Sequence, residues 1–487
     1  MKNPFSPDDR FTVLERRQRF SSRIALYGSL LVTLVTAFGL SVLAAKAISL
    51  ARSATDGTQG WFDTDWQELP EVQLFQGYLR IDTNADDGSE AAGAEFLAEQ
   101  LAAAGIPSVI ERFAGNKANL WAILEGEDPQ ALVLHNHIDV EPVIHPDKWI
   151  HDPFSGKISP PWIYGRGAFD MKSVAAAQLY AFLQLKEKGV PLKRSVIFLA
   201  TGSEERGSDL GTRWILRQHP ELVDRFWAVL SEGGVVEAID QGQVKYWGTE
   251  IGQKQFVDLV ICSPSRSRIV GMRAELRTVG EVAKPQRRLP PEVATMFEAY
   301  AATRDRPELV ELLSAPQLMV DTEEAFTRAP QYVRAMLRNE VRLSPVYKTE
   351  GGGYHRIIRL HLLPGEDPHE ARKVLVPDWM LFGVDWVLNQ RQSAAKGSSP
   401  EHPVFQGISQ TLEEHYPGAA TGPYFLPWTA TDSRFFRRAG IPSFGFSPFL
   451  ILTPDTLTGN HPNERVSLPG YVGGVKIYQD LLERLVL

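Results

Sequence analysis

The chain has 487 residues, with 51 Lys and Arg against 59 Asp and Glu and a formal net charge of −8. This acidic balance argues against a nucleic-acid-binding protein, and 43% hydrophobic with 23% charged residues excludes a disordered or fibrous chain. Cys262 is the single cysteine, so no intrachain disulfide can form and an ordinary core must stabilise the fold.

The N-terminal region is predicted to comprise a cytoplasmic segment (1–23), a transmembrane helix (24–45) and a linker (46–68). Residues 24–45 carry no charge and would span about 33 Å as a helix, against roughly 30 Å of bilayer hydrocarbon. Basic residues precede this run, so the positive-inside rule predicts a single-pass membrane protein with its catalytic body on the non-cytosolic side. A cleaved signal peptide is the alternative, disfavoured by the length of the apolar run.

Strands and helices alternate in residues 69–253. Strands are predicted at 108–113, 120–124, 131–134, 195–200 and 226–230, and helices at 89–104, 171–188 and 210–218. Gly105 and Gly189 follow two of these helices, as is typical of helix ends. This pattern predicts an α/β catalytic domain with a mostly parallel sheet flanked by helices.

The pattern changes between residues 254 and 395. Val257, Leu259 and Ile261 alternate with more polar residues, a long helical stretch is predicted over 291–337, and a second alternating strand over 358–362. We therefore predict a smaller α+β domain inserted into the catalytic domain, which resumes over 396–487.

Histidines and acidic residues follow the ends of several predicted strands. They are His137, Asp139, Asp170, Glu204, Glu205, Glu232 and, far downstream, His461. In an open parallel sheet, ligands bind at the carboxyl ends of the strands, so these residues can meet there. Imidazole with carboxylates suits zinc, with cobalt or manganese as alternatives, and a shared carboxylate holds two ions about 3.5–4 Å apart.

Each motif also has a purely structural explanation. Asp170 can cap the helix that follows it, adjacent glutamates favour a helix N-terminus, and His461 lies in a turn-like Asn/Pro stretch. The occurrence of all the motifs in order favours a functional site.

Five segments resemble the signatures of one enzyme family: HNHIDVEP, YGRGAFDMKS, TGSEERGSDLGT, TDSRFFRRAGIPSFGFSP and NHPNERVSL. The family is that of the dizinc metallopeptidases, which includes carboxypeptidase S, aminoacylase, glutamate carboxypeptidase and succinyl-diaminopimelate desuccinylase. The chain is most similar to the carboxypeptidase S and N-acyl amino acid hydrolase branch. The resemblance implies a catalytic α/β domain interrupted by a lid or dimerisation domain, and hence a homodimer through the lid.

The resemblance also implies roles for single residues. The metal ligands would be His137, Asp170 as the bridge, Glu205, Glu232 and His461. Glu204 would be the general base that takes a proton from the attacking water, and Asp139 would orient the His137 imidazole. Asp432 and Arg434 match a TDSR stretch, in which Arg434 would pair with a substrate carboxylate.

Three positions depart from the family pattern. Ser231 replaces the usual Asp, so Glu232 must supply that ligand. In the lid, Arg266 stands where a carbonyl-polarising His is usual, and the sequence Arg359-Leu360-His361 replaces Asn-x-Arg. Arg266 or His361 is therefore the candidate that polarises the scissile carbonyl.

These observations predict a metal-dependent hydrolase that holds two Zn²⁺ and cleaves a peptide or N-acyl amino acid bond beside a free carboxylate. Its partners would be a small-molecule or short-peptide substrate and the membrane, with no nucleic acid. A metal-binding homologue without turnover and an aminopeptidase with a similar dizinc site remain the alternatives.

Overall fold

The computed structural model describes residues 64–238, 240, 243–282, 286–349, 351–389 and 396–487. The predicted transmembrane helix at 24–45 lies outside these residues. Within them, no helix is both long enough and apolar enough to cross a membrane. This finding corrects the transmembrane part of the predicted fold class and the membrane localisation that followed from it. The helices instead turn one apolar face toward a sheet, as residues Leu468–Val486 do.

The described strands are β1 Ser108–Phe113, β2 Lys117–Leu124, β3 Asp128–His137, β4 Lys157–Ser159, β5 Trp162–Tyr164, β6 Arg194–Thr201, β7 Phe226–Ser231, β8 Val235–Ala238, β9 Val244–Gln253, β10 Gln255–Ser263, β11 Glu340–Leu343, β12 Tyr347–Lys348, β13 Tyr354–Leu362, β14 Asp385–Asn389, β15 Thr421–Leu426, β16 Ser443–Gly445 and β17 Arg465–Ser467. The described helices are α1 Pro70–Leu79, α2 Glu90–Ala103, α3 Lys172–Lys188, α4 Thr212–Gln218, α5 Pro220–Val223, α6 Arg266–Val282, α7 Pro291–Ala301, α8 Pro307–Ser314, α9 Gln317–Asp321, α10 Glu323–Arg328, α11 Gln331–Met336, α12 Pro368–Leu375, α13 Pro403–His415, α14 Ser433–Arg438, α15 Thr453–Thr456 and α16 Leu468–Val486.

The large sheet has the order β1-β2-β6-β3-β7-β16-β9-β15, with β8 paired to β9. The pairs β6–β3, β3–β7, β7–β16 and β9–β15 are parallel, whereas β1–β2, β2–β6, β16–β9 and β8–β9 are antiparallel. The prediction of a mostly parallel sheet is therefore wrong, because the sheet is mixed. One reason lies in the short link between Phe113 and Lys117, since so few residues can join only antiparallel strands.

Helices cover both faces of this sheet, as predicted. Alternate residues of β3 face opposite layers: Leu132 and Leu134 pack with α3 and α16, whereas Val133 packs with Ile215 of α4. The sheet edge at which β3 ends is thus held between two packed layers.

A second sheet, of five strands, has the order β11-β13-β10-β14, with β12 paired to β13, and all its pairs are antiparallel. Leu259 and Leu360 on one face pack against Met272 of α6. The opposite face carries the register pairs Asp258–Arg359 and Phe256–His361. We call this second sheet with α6 and α12 the lid. The division of the chain at residues 254 and 395 stays a prediction.

The helical stretch predicted over 291–337 is five separate helices, α7–α11. Pro307 begins α8, and Pro316 and Pro330 precede α9 and α11, because proline cannot continue a helix. These helices form a core with Tyr246 of β9 and Phe425 of β15, and so pack on the large sheet.

Candidate metal and substrate site

Three neighbouring parallel strands bring the sequence motifs to one sheet edge. β3, β6 and β7 end at His137, Thr201 and Ser231, and His137 lies opposite Thr201 in the strand register. The residues that follow these strands therefore meet at the carboxyl edge, as the alternating pattern predicted.

His137 is fully buried in the centre of the site. Its Nδ1 donates to the backbone carbonyl of Asp139 at 2.8 Å, which directs Nε2 toward the carboxylates of Asp170 at 3.1 Å and Glu232 at 3.8 Å. The Asp139 carboxylate is used differently: Oδ1 accepts the backbone N–H of Glu204 at 2.9 Å, and Oδ2 that of Glu205 at 3.0 Å. Asp139 thus orients the imidazole through its carbonyl and fixes the glutamate pair through its carboxylate.

The turn before the glutamate pair is closely packed on Glu90, the first residue of α2. A Cβ at Gly202 would lie 2.0 Å from Glu90 Oε2, so only glycine fits there. Glu90 is fully buried. Its carboxylate accepts hydrogen bonds from the Lys117 ammonium at 2.8 Å and from the Ser203 backbone N–H at 3.3 Å. Burial and then the charge of Asp139 raise the pKa of Glu90 to about 7.

The loop that carries Asp170 is held by a buried ion pair. Arg166 donates to Glu464 at 2.6 Å, and both side chains are fully buried. The other oxygen of Glu464 accepts the N–H groups of Phe169 at 2.8 Å and Asp170 at 3.2 Å. Asn460 donates its side-chain amide to Asp170 Oδ2 at 3.0 Å.

Glu232 lies on a sharp turn after β7. Gly233 and Gly234 have φ values of 120° and 86°, and a Cβ at Gly234 would lie 2.4 Å from the carbonyl oxygen of Gly248. Glycine is therefore required at these two positions for the backbone turn that places Glu232 beside His137.

The charges in this cluster destabilise one another. Burial and then the charge of Asp170 raise the pKa values of Glu205 and Glu232 well above their usual range. Burial alone would lower the pKa of His137, but its bond to Asp170 and the neighbouring carboxylates raise it well above its usual value. Carboxylates forced together in this way attract a cation.

Glu204 has a different environment. Burial raises its pKa to about 7, Asp432 adds to this effect, and Arg434 opposes it. Arg434 Nη1 lies 3.5 Å from Glu204 Oε1, and Arg434 Nη2 lies 3.7 Å from Asp432 Oδ1. Ser208 donates its hydroxyl to the same oxygen of Asp432.

Two overlapping groups of side chains place their ligand atoms within 4.8 Å of one another. One group is His137, Asp170 and Glu232, and the other is His137, Glu204 and Glu205. Glu205 Oε1 is buried and makes no hydrogen bond in the structure. Imidazole and carboxylate donors with an unused buried oxygen fit divalent metal ions.

Three predicted site residues lie elsewhere. His461 is exposed and belongs to neither ligand group, although its neighbour Asn460 contacts Asp170. Arg266 is exposed at the first turn of α6. His361 is buried in the lid and its ring contacts that of Phe256, with 4.2 Å between ring centroids and the planes tilted by 54°.

Two cavities meet at the glutamate pair. The first, of about 550 Å³, has walls that include Val235, Val236, Leu426, Phe449 and Ile451, and we call it the apolar cavity. The second, of about 450 Å³, lies against the lid and is lined by Arg206, Arg359 and Arg434 among others. We call it the arginine cavity. Glu204 and Glu205 line both.

The supporting residues Glu90, Arg166, Asn460 and Glu464 were not predicted from the sequence. Three of them stand inside or beside the recognised segments, in Gly165-Arg166-Gly167 and Asn460-His461-Pro462-Asn463-Glu464. Only their position in those segments could have pointed to them, because their partners are distant in sequence. Glu90 has no signal beyond its place at a helix start.

The family model described as Peptidase family M20/M25/M40 matches residues 133–484. Aminoacylase-1 of Sus scrofa is 33% identical over 433 residues, and that of Mus musculus 27% identical over 442 residues; each alignment covers 86% of this chain and 96% of the relative. An M20 family metallo-carboxypeptidase from Sulfolobus solfataricus shares the fold, with a TM-score of 0.64 at 18% identity, covering 85% of this chain and 99% of the other.

These matches confirm the predicted family and enzyme class, a metal-dependent hydrolase of amide bonds, and the ligand cluster fits its metal cofactor. The chain belongs to Peptidase family M20/M25/M40.

Proposed function

We propose that this chain hydrolyses a peptide or N-acyl amino acid bond beside a free carboxylate, in a small molecule or short peptide. The observation that carries the proposal is the position of the ligand cluster between a cavity with apolar walls and a cavity that contains arginines. The names of its relatives, an aminoacylase and a metallo-carboxypeptidase, support the same substrate class.

The metal ligands we propose are those that the sequence suggested: His137, Asp170 between two ions, Glu205, Glu232 and His461. The first four are supported by their proximity and by the unused oxygen of Glu205. His461 is supported by its place next to Asn460, which contacts Asp170. We propose two Zn²⁺, with Co²⁺ or Mn²⁺ as alternatives, because nitrogen and oxygen donors suit all three.

The chemistry divides between the ions and the chain. Divalent ions, when bound, supply Lewis acidity that lowers the pKa of water and polarises a carbonyl oxygen. Glu204 takes the proton of the attacking water and delivers it to the leaving amine nitrogen. Asp139 holds the Glu204 backbone in place, and Arg434 keeps the pKa of Glu204 from rising further.

The substrate carboxylate is bound in the arginine cavity. The sequence suggested Arg434 and Asp432 for this role. Arg434 lines the cavity but is buried beside Glu204, and Asp432 is buried with its carboxylate 3.7 Å from Arg434. Arg359 lies on the lid face of the same cavity with its side chain 46% exposed, held by Asp258 at 2.7 Å and 3.0 Å. A guanidinium fixed in this way can present its remaining N–H groups to a carboxylate.

The lid residues have different environments. Burial, with the nearby cations of Lys254 and Arg342, lowers the pKa of His361 to about 3, so its imidazole is neutral at ordinary pH. We propose that His361 positions Phe256 in the wall of the arginine cavity. Arg266 lines neither cavity within the described residues, so a carbonyl-polarising role for it requires a second subunit.

We propose that the lid forms a homodimer. β14 is an outer strand of the lid sheet. Val387 on this strand is 66% exposed, and Phe382, which precedes the strand, is 84% exposed. An outer strand with exposed apolar side chains favours pairing with another strand. Sedimentation of the parent and of Val387→Lys tests this: a dimer that becomes a monomer supports the proposal, and a parent monomer refutes it.

The function is tested by metal analysis combined with hydrolysis of a panel of N-acyl amino acids and dipeptides. We expect about two metal ions per chain and turnover that chelation abolishes. Bound metal without turnover of any substrate would support the binding-protein alternative. A requirement for a free α-amine, with no need for the carboxylate, would support the aminopeptidase.

A further inference from the structure

We propose that the apolar cavity binds a large apolar acyl group of the substrate, while the substrate carboxylate lies in the arginine cavity. This inference rests on the proposed function and adds the direction in which the substrate lies and the class of its acyl group. Its basis is the unequal distribution of charge between the two cavities that meet at Glu204 and Glu205.

The first step concerns cations. Among the described residues that line the apolar cavity there is no Lys, Arg or His, whereas its acidic side chains include Glu232 and Glu237. A substrate carboxylate placed there would find no cationic side chain among these residues to bind it. The arginine cavity is therefore the place for the carboxylate, and the acyl side of the scissile bond must extend into the apolar cavity.

The second step concerns a free amine. Glu237 is the acidic residue of the apolar cavity outside the ligand cluster, and it is already neutralised: Arg304 lies 2.7 Å from its carboxylate, and Tyr300 donates its hydroxyl to it. A carboxylate with two such partners has little remaining attraction for an α-ammonium group. The cavity therefore favours an acylated nitrogen over a free aminoacyl group.

The third step concerns the walls. Leu426, Phe449 and Ile451 line the cavity and are each at least 94% buried, so their side chains are held by the surrounding core. Val235 and Val236 continue the apolar lining along β8. A volume of about 550 Å³ lies within the range for pockets that enclose a drug-sized ligand. An acetyl group would leave most of this surface unfilled, whereas a longer acyl chain or an aromatic acyl group would cover it.

The test is an acyl-length series on one amino acid, from N-acetyl to N-octanoyl, using the metal-loaded full chain. We expect kcat/KM to rise by about fourfold per methylene over the first members, the gain expected when a methylene leaves water. The free-amine dipeptide of similar size should be at least tenfold poorer. A flat or falling series, or a preference for the free amine, would overturn the inference.

Two variants locate the effect. Val236→Phe and Ile451→Phe narrow the cavity and should reduce kcat/KM for the octanoyl substrate by at least tenfold, with the acetyl substrate changed less than about threefold. Val109→Phe, at a position 46% exposed on the outer strand β1, is the matched control and should keep the parent profile. Equal loss on both substrates in both cavity variants, with folding checked by circular dichroism, would contradict the assignment.

Binding separates this inference from the proposed function. Calorimetric titration with N-acetyl and N-octanoyl D-amino acids measures the acyl-length preference without turnover. Length-dependent binding without hydrolysis of any substrate would refute the function and support the cavity assignment. Hydrolysis combined with binding that does not depend on acyl length would support the proposed function and refute the cavity assignment.

Discussion

The carboxylate of Asp139 accepts the backbone N–H of Glu204 at 2.9 Å, and with its second oxygen that of Glu205 at 3.0 Å. The same residue receives the imidazole N–H of His137 on its carbonyl. One residue therefore sets the relative positions of a candidate ligand from β3 and of two acidic residues that follow β6. The sheet alone would align these strand ends but not their side chains.

Asp139→Asn tests this relationship. The amide has a single acceptor oxygen, and its NH₂ group would face a backbone N–H, so one of the two bonds is lost. We expect metal affinity and kcat to fall by roughly 10–100-fold, as for residues that support metal ligands. Asp147→Asn, at an exposed position, is the control. Unchanged metal titration and kcat in Asp139→Asn would contradict the positioning role.

Glu204 and Glu205 should separate chemistry from metal binding. Glu204→Gln keeps the shape but cannot take a proton, so we expect kcat to fall by at least about 10²-fold with metal content near that of the parent. Glu205→Gln should instead lower the metal content measured by elemental analysis, and Glu221→Gln, at an exposed site, should change neither. Loss of metal in Glu204→Gln alone would reverse the two roles.

Arg434→Met should change the pH profile. The guanidinium opposes the rise in the pKa of Glu204, so its removal raises that pKa. A base works when deprotonated, and we therefore expect the acidic limb of kcat/KM to move to higher pH, by about one unit. Arg438→Met, exposed on the same helix, is the control. A large rise in KM with the limb in place would instead mean that Arg434 binds the substrate carboxylate.

The positions of the strands could be predicted from the sequence, but the directions in which they pair in the sheet could not. Runs such as residues 108–113 agree with β1, because local patterning determines strand formation. The sequence could not show that β9 runs antiparallel to β16, since pairing direction depends on long-range contacts. The single long helix predicted over 291–337 is wrong, because Pro307, Pro316 and Pro330 each interrupt it.

For the site, too, local motifs pointed to residues, whereas contacts between distant residues could not be predicted. The motifs predicted that His137 and Glu205 lie near each other, and they do, because β3 and β6 are parallel neighbours that end together. Asp170 reaches the same place by another route, on a loop that Glu464 holds. The link between Arg166 and Glu464 spans nearly 300 positions, and no pattern in one sequence joins such residues.

Glu464→Gln should destabilise the fold as well as the site. The variant keeps an acceptor for the Asp170 loop but leaves the fully buried Arg166 without its countercharge. Breaking a buried ion pair in this way costs about 3–5 kcal/mol in the free energy of unfolding. The control is Glu483→Gln, whose partner Lys188 is 46% exposed, and which should cost less than about 1 kcal/mol. Equal denaturation midpoints for the two variants would refute this difference.

Lys254 should make stability depend on pH at the junction of β9 and β10. Its side chain is fully buried 3.4 Å from Glu340, and burial lowers the pKa of Lys254 to about 8. In the unfolded chain the pKa returns to about 10.4, so between these values the unfolded state binds more protons and stability rises with pH. This contribution amounts to about 2 kcal/mol between roughly pH 7.5 and 9.5.

Denaturant unfolding of the parent and of Lys254→Met at those two pH values measures the difference. We expect the parent to gain stability relative to the variant as the pH rises. At the lower pH the folded parent must bury a charged Lys254 or release its proton, and at the higher pH this cost is smaller. Lys245→Met, whose partner Asp305 is 83% exposed, should follow the parent. If the difference between parent and Lys254→Met is the same at both pH values, Lys254 is charged throughout and Glu340 stabilises its ammonium more than burial opposes it.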